Sequence, residues 1–362
     1  MDRYITDAWY SKSLFDSLKG KCTVFYYSNR NVWHGVFTPF QIIHRAVTDD
    51  IDVIHLQFEI YTFGNAPTHL FLPALFIMSK ICRKKVVITV HSVIPKYMFD
   101  KKEIEKIIPS GVTKSPKLLK IFVEVTYRIF FKLPSKVIVH SNVFKKWLEE
   151  YGLRNIIVIP HGVNSENRYD IPERWVSYGP RMIMCFGVVT PRKGLETLIE
   201  AYSIMKSEDV QLLIIGSEMS YYKGYMRSLK ELVKGKGLEG KVTFSGFLKD
   251  DEVNYLFDKA EIIVLPYRVS ISASGSLAFA VQHCKPVIVT ETEFFKEELK
   301  VTEALFTEKN NSSELAYKMD FLLNNDTLKE YLSNNLRLKR AERGWNKVSN
   351  EFMKVYQDLI GN

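Results

Sequence analysis

Arg192 and Lys193 stand side by side, just after the apolar run Met182-Ile183-Met184-Cys185. They precede a segment that carries Leu195, Leu198, Ile199, Tyr202 and Met205 at the spacing of one helix face. That order predicts a strand, a tight loop and a helix. Gly187 lets the chain leave the strand sharply, and Thr190 and Pro191 suit an N-cap and a first helical position. The two cations then flank the exposed N–H groups of a helix start, where the dipole already favours an anion. The chemistry this suits is capture of a diphosphate. Both side chains are expected on a surface loop, and an Arg-Lys pair taken alone is more often a solvated turn.

A second set of reactive side chains lies in the first half. His91 follows the β-branched run Lys85 to Val90, and Glu59 closes the run Asp52 to Phe58 beside Gln57. Groups at the carboxyl ends of strands face the ligand side of an open α/β sheet. A carboxylate there is suited to bind or deprotonate a hydroxyl, while an ion pair with a neighbouring lysine explains Glu59 equally well. His91 has the alternative of a core histidine bonded to backbone. His140 and His161 also end strands, and His161, before Gly162, also suits a role in shaping an interdomain turn.

The elements that position these residues alternate along the whole chain. Helices are expected over 6–19, 70–81, 118–132 and 144–151, with strands over 22–27, 52–59, 85–90, 136–140 and 155–159. Residues 96–115 read as a charged loop. After the polar stretch 164–180, strands over 181–186, 210–216, 241–245, 261–266 and 286–290 alternate with helices that include 221–236, 250–259 and 275–283. Helices over 312–324 and 328–340 and an amphipathic one over 345–360 close the chain. Such alternation specifies parallel sheets covered on both faces. The length of 362 residues suits two domains, placed at 1–170 and 171–344, with the helix 345–362 packing back on the first.

Net charge is +9, and all of the excess lies in residues 1–180, with 25 Lys and Arg against 16 Asp and Glu. This half is expected to face an anionic partner. The helix over 118–132 sets Lys120, Glu124, Arg128 and Lys132 in one polar stripe, with Lys101, Lys102, Lys106, Lys114 and Lys117 upstream. It reads either as a core helix or as a peripheral contact with an anionic membrane. Nucleic acid is not expected as a partner, since the basic residues are not interleaved with exposed aromatics in any recognised motif. Four scattered cysteines without a CxxC pair read as buried free thiols, with no metal site. No apolar stretch has the length of a signal peptide or membrane span, so a cytoplasmic protein, at the inner face of the membrane if it docks there, is expected.

Several short motifs in order carry a resemblance. They are Asp52 to Glu59 with Phe63-Gly64, Thr89-Val90-His91, Val139-His140-Ser141, Ile159-Pro160-His161-Gly162-Val163 and Phe186-Gly187 through Lys193-Gly194. They continue with Val242-Thr243-Phe244-Ser245-Gly246-Phe247, Leu265-Pro266-Tyr267 and Pro286-Val287-Ile288. The chain resembles retaining glycosyltransferases of family 4, with the GT-B architecture of two facing Rossmann-like domains and a cleft between them. The resemblance implies a sugar transferase of the hexosyltransferase type. It would take a nucleotide-sugar donor and a glycan, lipid-linked or other hydroxyl acceptor, with no cofactor beyond that co-substrate and no metal.

By that resemblance Arg192 and Lys193 hold the pyrophosphate and stabilise the departing nucleoside diphosphate. Gly187, Gly246 and Phe247 belong to the donor site, His91 supports the acceptor or the reacting sugar, and Glu59 and His161 lie on the acceptor side. Phe294-Phe295 with Glu297 and Glu298 either close over the nucleotide or pack in the core. Two departures stand out. The Gly-rich loop usual near the start is missing, which leaves two readings, a chain truncated relative to the family or His34-Gly35 in place of that loop. The usual Glu-x7-Glu pair is also missing, for no carboxylate lies between Glu261 and Glu291. The free N–H groups of Ser274, Gly275, Ser276 and Leu277, at a helix start, are then expected to grip the distal phosphate. A non-catalytic GT-B partner subunit or nucleotide-sugar-binding module is the second function class.

Overall fold

The computed structural model describes residues 6–23, 37–59, 66–100, 104, 115–164, 169–170, 181–219 and 222–361. The expected strand over 22–27, the motifs His34-Gly35 and Phe63-Gly64, most of the basic run upstream of Lys117 and most of the stretch 164–180 lie outside them.

Four parallel strands form the first sheet, β1 (Val53–Phe58), β2 (Lys85–Val90), β3 (Lys136–Val139) and β4 (Ile156–Val158), in the order β1-β2-β3-β4. Around them in chain order lie α1 (Thr6–Leu18), α2 (Thr38–Thr48), α3 (Ala66–Ile81), α4 (Lys96–Asp100), α5 (Pro116–Arg128) and α6 (Asn142–Glu150). Each crossover steps one strand in the same direction, so right-handedness places α3, α5 and α6 on one face. Ile54, Leu56, Ile88 and Val137 pack toward those helices, whereas Val87, Ile138 and Ile159 pack toward α1 and the last helix. The period of two along β1 to β3 thus feeds two cores.

Two segments differ from the sequence reading. Residues 96–100 form a short helix, because Met98 is fully buried and anchors what its charged neighbours made look like a loop. The helix over 118–132 starts at Pro116, capped by Ser115, and gives way to a 3-10 turn at Phe130–Lys132 that buries Phe131.

The second sheet has six parallel strands. These are β5 (Arg181–Phe186), β6 (Val210–Ile215), β7 (Val242–Gly246), β8 (Ile262–Leu265), β9 (Val287–Thr290) and β10 (Leu305–Thr307), in the order β10-β9-β8-β5-β6-β7. β10 has no counterpart in the sequence reading, since three residues are too few to show a period. The helices are α7 (Leu195–Ser203), α8 (Tyr225–Gly235), α9 (Asp250–Lys259), α10 (Gly275–Gln282), α11 (Glu293–Glu298), α12 (Ser312–Leu323), α13 (Asp326–Arg343) and α14 (Trp345–Ile360). Trp345, Phe352 and Tyr356 of α14 pack with Tyr10 and Leu14 of α1 and with the first sheet.

The two sheets meet at the carboxyl ends of their strands. Ser92, just past β2, forms an antiparallel bridge with Ser272, between β8 and α10. Val93 N donates to Ile271 O at 2.8 Å, and Ala273 N donates to His91 O at 3.2 Å. Beside this seam Phe144 of α6 stacks on Phe294 of α11, with ring centroids 5.2 Å apart. Glu297 of α11 accepts from the first N–H groups of α6, Asn142 N at 2.6 Å and Val143 N at 2.7 Å. A carboxylate of one domain therefore caps a helix of the other. Phe294 and Glu297 belong to the domain seam, and Phe295 is wholly buried.

Candidate functional site

β5 ends at Phe186, and Gly187 turns the chain with φ +124°. A Cβ there would stand 2.8 Å from Ser276 Oγ and 3.3 Å from Lys193 Nζ, so glycine is what allows this close approach. The next turn is closed by Gly216 at the end of β6, whose Cβ would fall 2.0 Å from Gly187 O. Gly216 N donates to Gly246 O at 3.0 Å, and three glycines thus line the carboxyl edge of β5, β6 and β7.

Pro191–Lys193 is a single 3-10 turn, and the N-cap of α7 is Gly194, with φ +67°, where Thr190 had been expected to cap a helix starting at Pro191. A Cβ on Gly194 would lie 2.1 Å from Pro266 O, so the loop is pressed against the end of β8. Arg268 holds it there. Its backbone N donates to Arg192 O at 2.9 Å, and its guanidinium reaches Pro191 O and pairs with Glu196 at 3.1 Å.

Lys193 departs from the expected surface position, for only 7% of it is exposed. Its ammonium donates to the Tyr267 hydroxyl and lies 3.7 Å from the centre of that ring. Among the described residues no carboxylate pairs with it. Burial, and then the neighbouring charge of Arg192, pull its pKa well below the usual lysine value. Arg192 is half-buried, and its guanidinium has no hydrogen-bond partner among the described residues. The hydroxyl of Thr190 is buried without a partner in the same loop.

Opposite stands the start of α10. Ser274 is its N-cap and accepts from Leu277 N at 3.1 Å, so the Leu277 N–H is spent inside the protein. Leu277 therefore drops out of the expected set of free N–H groups, and those of Gly275 and Ser276 are the first of the helix. Nothing lies within 4 Å of a Cβ built on Gly275, which faces open space. Ser276 Oγ donates to Phe186 O at 2.5 Å, tying α10 to the end of β5. The structure therefore gathers Gly187, Arg192, Lys193, Ser274, Gly275 and Ser276 at one place. Gly246 and Phe247 stand at the end of β7, with the Phe247 side chain 47% exposed.

On the first domain the histidines form a chain. His140 Nδ1 faces Ile159 O at 2.9 Å and must carry a proton, and burial lowers the pKa of this ring to about 3. Its Nε2 then accepts from His91 Nδ1 at 3.1 Å, which leaves His91 Nε2 as a lone pair 2.9 Å from the Gln57 amide. Gln57 also meets His55 Nε2 at 3.2 Å, and His55 Nδ1 meets the Tyr356 hydroxyl at 2.6 Å. The amide stands with its oxygen toward His91 and its nitrogen toward His55; with every ring neutral it is read turned over, donating its N–H to His91 and presenting its oxygen to His55.

Both ring nitrogens of His91 thus have partners within the first domain. Its contribution to the cleft is the backbone carbonyl at the seam. His161 bonds to Gly162 O at 2.8 Å and meets Tyr10 edge-on. Glu59 accepts from the Ser92 hydroxyl, one residue from His91 at the same seam. Sequence reasoning gave no role to Tyr267, Arg268, Gly216 or Gln57, although Tyr267 and Gln57 stood within quoted motifs.

Two facing parallel-sheet domains, with a cation loop and a helix start converging in the second, define the GT-B class. The chain belongs to glycosyltransferase family 4. The Glycosyltransferase Family 4 model matches residues 10–167, and the Glycosyl transferases group 1 model matches residues 168–339. An uncharacterized glycosyltransferase of Methanocaldococcus jannaschii is 30% identical over 238 residues, which cover 64% of this chain and 63% of that protein. Phosphatidyl-myo-inositol mannosyltransferase of Mycobacterium leprae is 25% identical over 225 residues, 60% of this chain and 58% of that protein. The chain thus spans less than two thirds of these curated relatives. In fold it is similar to Anabaena HepE in complex with UDP, with a TM-score of 0.70 at 17% identity over 88% of this chain and 82% of that one.

Proposed function

We propose that this chain transfers a sugar from a nucleotide-sugar donor to a hydroxyl acceptor, glycan or lipid-linked, with retention of configuration. The observation that carries this reading is Lys193, a buried lysine that faces a glycine-walled gap and the start of α10 with, among the described residues, only a phenol for its amine. A diphosphate in that gap supplies the missing countercharge. When the bond from the sugar carbon to the diphosphate breaks, the electron pair leaves on the phosphate oxygen. Lys193, Arg192 and the N–H groups of α10 meet the charge that develops there. Such groups are fixed before the reaction and need little reorganisation.

The acceptor approaches from the first domain, where Glu59 beside Ser92 receives the hydrogen bond of its hydroxyl. No cofactor beyond the co-substrate enters this scheme. The solved relative bound to UDP supports a nucleoside diphosphate as the ligand class. The experiment is hydrolysis and transfer measured over a panel of nucleotide sugars, with and without sugar and lipid-linked acceptors. Release of nucleoside diphosphate is the expected result. Donor binding with no turnover under any acceptor would instead establish a binding module.

A further inference from the structure

Lys193 has been described as held by a phenol, and that phenol is itself a junction. Tyr267 follows β8 and is 1% exposed, and its main-chain carbonyl accepts from Thr290 Oγ1 at 2.5 Å, so the residue is fixed between β8 and β9. Its hydroxyl receives the Lys193 ammonium on one side and lies 3.1 Å from Ser274 Oγ on the other. Ser274 in turn caps α10 through Leu277 N. Its ring lies against Phe295, with centroids 5.2 Å apart, which prevents it from swinging away.

We propose that Tyr267 is the positioning residue of the donor site. It joins the Lys193 cation to the start of α10, so that both walls of the diphosphate gap move as one preassembled unit. This deepens the proposed function and rests on it. The physical need is clear from what stands around Lys193. An acidic partner would neutralise the ammonium and compete with the donor, whereas a phenol orients it and leaves its charge for the phosphate. The ring adds a favourable face for the cation while the gap is empty. The position usual for the family's acid pair holds none here, since residues 262–290 contain no carboxylate. The tie between cation and helix therefore falls to neutral groups.

The test uses the full chain and the tighter binding of UDP and GDP as probe, titrated calorimetrically. Four variants are compared, Tyr267→Phe, Ser274→Ala, their double and Arg192→Ala, each checked by melting temperature. Tyr267→Phe keeps the buried ring and should fold, while weakening the probe about tenfold. Because Tyr267 and Ser274 act as one unit, the double variant should be little weaker than either single one. A purely structural role would not produce that coupling. Unchanged affinity in a folded Tyr267→Phe protein, or fully additive losses in the double, overturns the proposal. If Arg192→Ala also binds as well as wild type, the donor site itself is misplaced, which separates the two failures.

Discussion

Lys193 and the histidines show how burial, more than residue type, sets the chemistry at the residue scale. The Lys193 pKa is pulled down in the empty site, and a diphosphate beside it would raise it again. Binding of a nucleotide sugar is then linked to protonation of Lys193, and affinity falls as pH rises through the interval between the two values. Calorimetry over a pH series, in buffers of different ionisation enthalpy, should register proton uptake at the upper end in wild type and lose it in Lys193→Met. No uptake in wild type would mean that the ammonium is not what the phosphate meets. The histidines carry the opposite burden. His55 and His140 are held at about 3 and His161 at about 4, each chiefly by burial, and His91 is also lowered. The folded chain refuses protons that the unfolded chain accepts below about 6.5. Stability is therefore full above that pH and declines as pH falls toward 4, by about 1.4 kcal/mol per pH unit for each ring. Melting temperatures between pH 7.5 and 5 should drop steeply, and a flat profile would contradict neutral buried rings.

Elements bring these residues together, and the start of α10 is the one most exposed to test. Gly275→Val adds a side chain into open space, so the protein should fold and still lose most donor affinity, because the branch occupies the phosphate position. Ser272 meets the first domain through its backbone, so Ser272→Ala should bind the donor normally. A folded Gly275→Val protein with wild-type affinity would remove α10 from the site. Elements of this kind were legible in the sequence where a continuous apolar run met a clear boundary. The strands over Lys85–Val90 and Arg181–Phe186 and the helices over Asp250–Lys259 and Trp345–Ile360 agree to the residue. The tie at Tyr267 was not legible, because its partners lie 74 and 7 residues away and a phenol in a strand-end motif has no period to betray it. Nor was the burial of Lys193, since two adjacent basic residues carry no sign of which one turns inward. α5 offers a further test, for Leu118, Ile121 and Ile129 are 65%, 59% and 57% exposed on a helix flanked by exposed Lys117, Arg128 and Lys132. Sedimentation with vesicles should retain the chain on anionic lipid at low salt, with loss in Ile121→Ser and at high salt. Equal partition to neutral and anionic vesicles, or none to either, would rule that contact out.

Two domains joined at one seam make up the whole molecule. The bridge from Ser92 to Ser272, the stacked Phe144 and Phe294 and the Glu297 cap hold the carboxyl ends of the two sheets together. Glu59, Ser92 and the His91 carbonyl all lie on this seam. Among the described residues no helix is long and apolar enough to cross a membrane. All of this turns on whether a nucleotide sugar binds where Lys193 is buried. Wild type and Lys193→Ala should be titrated with the tightest binder from a panel of UDP-, GDP- and ADP-sugars, after equal folding has been verified. Loss of a hydrogen bond between an ammonium and a phosphate costs about 1.5 to 3 kcal/mol, so the variant should bind at least about tenfold more weakly. Equal affinity in the two folded proteins would contradict the donor site described above.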